Sequence, residues 1–294
     1  MNISEFISYI RFEKRFSKNT VASYESDLIQ FKDYLESKYK INIIQDVNHL
    51  IIRSWIIELM ENNISSRSVN RKISSLKSYF KFLLKENIIL KNPMTKVVSP
   101  KTSKNLPQFI EKGGMEILFE NEIKDDTFEG KRDILILELF YATGMRLSEL
   151  VNIKISDFDF SRNIIKVLGK RNKTRVIPFS DRLKEIINIY IEERRLIVVE
   201  NEIDELFLTS KGKKIYQKLV YRIVNLYLRR VTTIDKKSPH VLRHTFATHL
   251  LDNGADLNAV KELLGHANLS ATQIYTHNTI EKLTKVYKQA HPKA

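Results

Sequence analysis

The sequence predicts a mainly α-helical protein with a small β-hairpin, arranged as two domains. Three observations carry that reading. Apolar residues recur at three- and four-residue steps over most of the 294 residues, whereas apolar–polar alternation stands out at 163–168 and 174–179. Glycine and proline are scarce, at eight and six, which favours a folded and mostly helical chain. Three of the prolines, Pro93, Pro100 and Pro107, fall in one stretch where the periodicity lapses, and a chain of this length is comfortable for two domains.

Residues 1–88 read as four or five helices. Ile3, Phe6, Ile7 and Ile10 mark the first, and Val21, Tyr24, Leu28, Phe31 and Leu35 the second. A third runs over 50–60 around Trp55, and Val69, Ile73, Leu76, Phe80 and Leu83 mark a fourth. On the other side of that fourth helix Arg67, Arg71, Ser74, Ser78 and Lys81 recur at helical steps, with no acidic residue from Arg67 to Lys85. Such a small, polar, cationic face suits contact with phosphates. Residues 89–107 then carry four lysines, Lys104 among them, and no acid, and read as a basic linker.

The second domain, 108–294, opens with helices. Residues 132–141 are apolar on most sides, as expected of a central buried helix that stops at Thr143-Gly144. Arg146 and Glu149 follow, one turn apart on the next helix, a spacing that by itself is an ordinary helical ion pair. The two alternating stretches flank Gly169-Lys170-Arg171-Asn172-Lys173, a hairpin by pattern. Residues 181–199 read as an amphipathic helix, 206–209 as a short strand and 215–231 as a further helix. Lys211, Lys213, Lys214, Lys218 and Arg222 there suit either phosphate contact or a solubilising face.

Composition sets the outer bounds. A net charge of +14 points to a polyanionic partner. The absence of cysteine excludes disulfides and thiol chemistry. No apolar run reaches the roughly 18 residues of a membrane span, and the first segment, with Glu5 and Glu13, is unlike a signal peptide. These features place the chain in the cytoplasm and away from membranes.

The chemistry concentrates in 238–277, SPHVLRHTFATHLLDNGADLNAVKELLGHANLSATQIYTH. Ser238 suits an N-cap and Pro239 a first helical position, so a helix is expected over 239–252, with Leu242, Phe246, Leu250 and Leu251 facing a core. His240 and Arg243 share its first turn, where unpaired N–H groups and the helix dipole also favour an anion. A second helix is expected over 256–264, ending at Gly265 with His266 just beyond. Ser270 is positioned to cap a third helix, carrying Tyr275 in its second turn.

The order H-x-x-R, then G-H, then a tyrosine nine residues after that histidine resembles the C-terminal box of the tyrosine recombinase (phage integrase) family, most closely its Xer-type members. YATGMRLSELVNI resembles the family's first arginine box, VLGKRNKTRVIP its hairpin, and the stretch 17–31 an N-terminal segment. The resemblance implies a helical, SAM-like core-binding domain followed by an α+β catalytic domain. It implies Arg146, Lys170, His240, Arg243, His266 and Tyr275 as catalytic residues, with Tyr275 the nucleophile that forms a covalent 3′-phosphotyrosyl intermediate. In that scheme the two arginines bind the scissile phosphate, Lys170 protonates the 5′-oxygen, and the histidines move protons or donate to the phosphate. Arg67, Arg71, Lys81 and Lys104 are the candidate DNA-binding residues. No metal and no cofactor is implied. The implied partners are double-stranded DNA with paired recombination sites, a homo- or hetero-tetramer of recombinases, and a DNA translocase of the cell-division machinery. The tail 279–290, with Ile280, Leu283 and Tyr287 on one face, is expected to dock on a neighbouring protomer.

The implied role is chromosome dimer resolution. A mobile-element integrase with the same chemistry and a type IB topoisomerase are the alternatives. A DNA-binding repressor would show a vacant nucleophile or arginine position, and none is vacant. A zinc hydrolase built on His240, His244 and His249 lacks an H-E-x-x-H pattern.

Overall fold

A computed structural model describes residues 2–102, 108–120, 125–169, 173–197, 203–265 and 277–294. The chain divides into two compact units, Met1–Asn105 and Leu106–Ala294.

The first unit is helical. Helix α1 (Ile3–Ser8) runs on through a π-helical turn, followed by α2 (Lys18–Tyr34), α3 (His49–Glu61) and α4 (Ser66–Lys85). Short polar side chains start three of them. Ser17 Oγ accepts from Thr20 N (3.2 Å), Asn48 Oδ1 from Leu50 N (2.9 Å), and Ser65 Oγ from Ser68 N (3.4 Å), each satisfying an N–H that the helix leaves unpaired. The predicted apolar stripes meet in one core. Trp55 packs on Phe31 with ring centres 4.8 Å apart, and Phe6 meets Tyr79 edge-on at 5.3 Å.

Two features differ from expectation. The connector is shorter than 89–107, because Ile89, Met94 and Val97 are buried in the first core. Pro93 starts a 3-10 turn (Pro93–Lys96) capped by Asn92, and Arg53 Nη2 donates to Lys96 O at 2.7 Å. The spacing of these three apolar residues follows neither the helical nor the strand period, so no stripe marks them in the sequence.

One member of the cationic face of α4 is also paired within the fold. Arg67 and Lys81 are exposed, but Arg71 Nη1 donates to Asp27 Oδ2 at 2.5 Å. Asp27 is buried on α2, and its carboxylate also accepts from Lys72 Nζ (3.0 Å) and Ser75 Oγ (2.8 Å). Removing it would leave the buried Lys72 ammonium without its anion. Asp27→Ala is expected to destabilise this unit by about 3 kcal/mol, the scale of breaking a buried ion pair from one side. Urea denaturation followed by Trp55 fluorescence measures the loss. Arg71→Ala therefore perturbs the fold as well as any phosphate contact.

The second unit surrounds α6 (Phe128–Thr143), which is buried on nearly every side. Helix α5 (Lys112–Glu120) precedes it and α7 (Leu147–Val151) follows. A three-stranded antiparallel sheet comes next, β1 (Phe158–Asp159), β2 (Ile164–Leu168) and β3 (Thr174–Pro178), in the order β1-β2-β3, with Ile165 opposite Ile177 and Leu168 opposite Thr174. β1 has only two residues, too few for alternation to reveal. Helices α8 (Asp181–Arg195), α9 (Gln217–Val231), α10 (Pro239–Asp252), α11 (Leu257–Leu264) and α12 (His277–Ala290) complete the unit. Leu242, Phe246 and Leu250 of α10 are fully buried beside α6, whereas Leu251, expected in the core, is 39% exposed.

The short strand expected at 206–209 forms only isolated bridges, Lys154 with Glu205 and Leu208 with Lys214. The buried Arg194 explains part of this, since it donates to the carbonyls of Ile203 (2.5 Å), Glu205 (2.9 Å) and Leu206 (3.1 Å), acceptors that a strand would offer to a neighbour.

The tail departs most from expectation. The apolar face expected on a neighbouring protomer lies against its own domain, where Leu283, Tyr287 and Ala290 are buried beside α10, α11 and β3. Asn253 Nδ2 donates to Ala290 O at 2.7 Å. His291 stacks on Tyr287 with ring centres 4.8 Å apart; its Nε2 donates to Tyr141 O (3.0 Å) while Nδ1 accepts from Lys293 N (3.0 Å). Burial pushes this imidazole down to about 4, which agrees with a neutral ring using both nitrogens. Among the described residues no helix is long and apolar enough to cross a membrane.

Candidate active site

The centre is built on three arginines and one carboxylate. Gly144 ends α6 in the left-handed conformation (φ 57°), and a Cβ there would stand 2.4 Å from the Phe246 ring, so glycine is required twice over. This sharp stop brings Arg146 to the N-cap of α7. Glu149 Oε2 accepts Arg146 N (2.7 Å), and Oε1 accepts Arg146 Nη1 (2.7 Å). The carboxylate thereby caps the helix while holding the side chain of the residue that begins it. The Arg146 side chain remains 36% exposed, which leaves part of its guanidinium open to a ligand.

Arg243 comes from the first half of α10, 8% exposed, and donates to Gly144 O (2.5 Å) and Leu264 O (2.7 Å). Helix α11 begins on Asp256, whose Oδ2 accepts Asn258 N and Ala259 N, and ends at Gly265 in the left-handed conformation (φ 65°). Its last carbonyls are taken by three different guanidiniums: Leu263 O by Arg175 Nε (2.8 Å), Leu264 O by Arg243 and Gly265 O by Arg146 Nη2 (3.2 Å). The negative end of a helix suits such cations.

Arg175, on β3 and 3% exposed, closes the cluster through paired donors to Glu149, Nη1 to Oε1 (3.0 Å) and Nη2 to Oε2 (2.8 Å). The sequence reading missed it. Its signal was an arginine set among the apolar residues of a strand, a place where an unpaired charge is costly.

Three guanidiniums against one carboxylate leave an excess of positive charge in a largely dry place. Burial, then the neighbouring charges of Arg146 and Arg175, pull Arg243 down to about 9, still cationic at neutral pH. Burial alone would raise Glu149, but its bonds to Arg175 and to Arg146 hold it below the usual carboxylate range. A cluster of this kind is completed by an anion, and guanidinium forks match phosphate.

His240 lies exposed on α10, and His244 one turn later is pulled down by burial and by His240. His249 is different. It is buried, its Nδ1 lies 2.9 Å from Tyr141 Oη, and nine residues of helix turn it to the side opposite His240. The three histidines therefore do not converge, and among the described residues no group of side chains is placed to hold a metal ion. Ser238 occupies the N-cap of α10 without a side-chain bond. Lys170, His266, Tyr275 and Lys104 lie outside the described residues. The described neighbours of two of them abut the cluster: a Cβ on Gly169 would stand 3.6 Å from both Glu149 Oε1 and Arg175 Nη1, and one on Gly265 would stand 2.9 Å from Arg175 Cδ.

The phage integrase family matches residues 109–282, and the phage integrase N-terminal SAM-like domain matches residues 3–87. The chain is 43% identical over 291 residues to a tyrosine recombinase XerC of Staphylococcus aureus (strain JH9), covering 98% of this chain and 96% of the relative. It is 42% identical over 293 residues to the tyrosine recombinase XerC of Anoxybacillus flavithermus (strain DSM 21510 / WK1), covering 98% and 97%. Among solved structures, the XerH site-specific recombinase bound to a palindromic difH substrate shares the fold, with a TM-score of 0.73 at 22% identity over 99% of this chain and 82% of that one. The Tn1549 transposon integrase in complex with circular intermediate DNA does so with a TM-score of 0.71 at 20% identity, covering 97% and 99%.

Fold and relatives together define a site-specific recombinase that works by tyrosine chemistry. The chain belongs to the phage integrase family, as an Xer-type tyrosine recombinase.

Proposed function

We propose that this recombinase cuts and rejoins DNA at paired sites through Tyr275, and that Arg146 and Arg243 hold the scissile phosphate. The observation that carries the reading is the fixing of Arg146 and Arg243, together with Arg175, on successive carbonyls of α11. Such donors are set in place before the substrate arrives and need no reorganisation when charge builds on the non-bridging oxygens. The Tyr275 phenol gives up its proton to His240 or His266 as its oxygen attacks phosphorus and becomes joined to the 3′ phosphate, and the 5′-oxygen leaves with a proton from Lys170. His240 and His266 assist proton transfer or donate to the phosphate. The link conserves the energy of the broken bond, so a second 5′-hydroxyl can displace the tyrosine and reseal the strand without ATP.

The exposed Arg67 and Lys81 on α4, with Arg71 beside them and Lys104 in the connector, supply phosphate contacts along the duplex. The proposed setting is cytoplasmic, with the recombinase acting as a homo- or hetero-tetramer on DNA. The identity to XerC relatives over nearly the whole chain favours resolution of chromosome dimers over movement of a mobile element, with a DNA translocase of the division machinery as a further partner.

A nicked suicide substrate, from which the 5′ leaving fragment diffuses away, tests the reaction. A protein–DNA adduct that survives denaturation is the expected product. The same adduct is expected in EDTA, because guanidiniums supply the positive charge that a metal ion would otherwise bring. Loss of the adduct on chelation, restored by magnesium, would overturn the assignment of that charge to Arg146 and Arg243.

A further inference from the structure

We propose that Arg175 is a positioning residue for strand cutting, setting the Arg146 guanidinium through the carboxylate they share. This rests on the reading of Arg146 as a phosphate-binding residue.

The geometry is that of a saturated acceptor. Glu149 Oε1 receives Arg146 Nη1 (2.7 Å) and Arg175 Nη1 (3.0 Å), while Oε2 receives Arg146 N (2.7 Å) and Arg175 Nη2 (2.8 Å). With both oxygens of the carboxylate occupied twice, Arg146 can offer it only one guanidinium nitrogen. The other, Nη2, reaches Gly265 O instead. Arg175 is itself tied to Leu263 O, two residues before that carbonyl, and its stem lies against Gly265 so closely that a Cβ there would meet Arg175 Cδ at 2.9 Å. One buried side chain thus joins strand β3, the carboxylate of α7 and the end of α11.

Without Arg175, two acceptor positions on Glu149 fall vacant, and among the described residues the cation already bonded to that carboxylate is Arg146. A bidentate fork is the preferred geometry of such a pair, so Arg146 would close onto Glu149 and withdraw from the phosphate. Lysine at 175 would keep the charge but not the fork, nor the bond to Leu263 O.

Arg175→Lys is expected to bind a single site with unchanged affinity and to cleave the suicide substrate roughly 10- to 100-fold more slowly, the scale on which loss of an orienting partner acts. Because the effect passes through Arg146, the double variant Arg146→Lys/Arg175→Lys should cleave no more slowly than Arg146→Lys alone, followed over long incubations. An independent residue would multiply in its full loss. If Arg175→Lys does not fold, Glu149→Gln, which weakens the same pair from the other side, should show the same loss and the same non-additivity. A wild-type cleavage rate for the folded variant, or losses that multiply, would overturn the proposal. So would recovery of the wild-type rate on cooling, which would leave Arg175 as a staple of the fold. Normal cleavage by Arg146→Lys would instead remove the reading of Arg146, so the two failures are told apart.

Discussion

Arg243→Ala is expected to slow single-turnover cleavage by roughly 10²- to 10³-fold or more, the scale of one charged donor lost from a developing transition-state charge. Two features make Arg243 the most sensitive of the cluster. It is buried, so water cannot replace its donors, and it sits beside two further guanidiniums whose repulsion Glu149 offsets only in part. Gly144 O and Leu264 O would also lose their partner, which loosens the junction between the end of α6 and the end of α11. A melting scan of the free protein reports that structural part, and a gel shift on a single site reports binding, which should change little. Arg243→Lys separates the two contributions: it restores charge but not the fork, so stability should recover more than cleavage does. Wild-type cleavage by the alanine variant would remove Arg243 from the chemistry.

The second large effect is expected at the proposed nucleophile. Tyr275→Phe should abolish the covalent adduct while leaving site affinity unchanged, because only the attacking oxygen is lost and phosphate and groove contacts remain. A phenol with an ordinary pKa near 10 is a poor nucleophile at neutral pH. In the proposed reaction, the excess of positive charge carried by Arg146, Arg175 and Arg243 is what would favour the phenolate and draw in the phosphate. A denaturation-resistant adduct formed by Tyr275→Phe at the wild-type rate would assign the nucleophile elsewhere. Mapping the attached peptide by mass spectrometry in the parent protein gives the same answer from the other direction.

How far the fold was legible depended on the range of the interactions. Helix α10 runs over Pro239–Asp252, as its Ser238-Pro239 start and Asn253-Gly254 stop indicate, and α11 begins one residue inside the expected 256–264. The hairpin pairs 164–168 with 174–178 as alternation predicts. Caps, stops and periodicities are local, so a linear reading suffices for them. The arginine box and the H-x-x-R turn were legible for a related reason: their residues lie within one or two turns of each other.

Tertiary structure alone decided the rest. Asp27 and Arg71 lie 44 residues apart, and Arg175 and Leu263 lie 88 apart. Nothing in either neighbourhood says that these charges will be buried together, because burial depends on which helices and strands pack across them. The packing of Ile89, Met94 and Val97 into the first core and the burial of Leu283 and Tyr287 within their own domain are also long-range outcomes. Local patterns along the chain specify the helices, the hairpin and the residue types able to do phosphate chemistry. Only the fold decided that Arg146, Arg175 and Arg243 would each take a carbonyl at one helix end, because a buried charge is tolerated only where the rest of the chain supplies its partners.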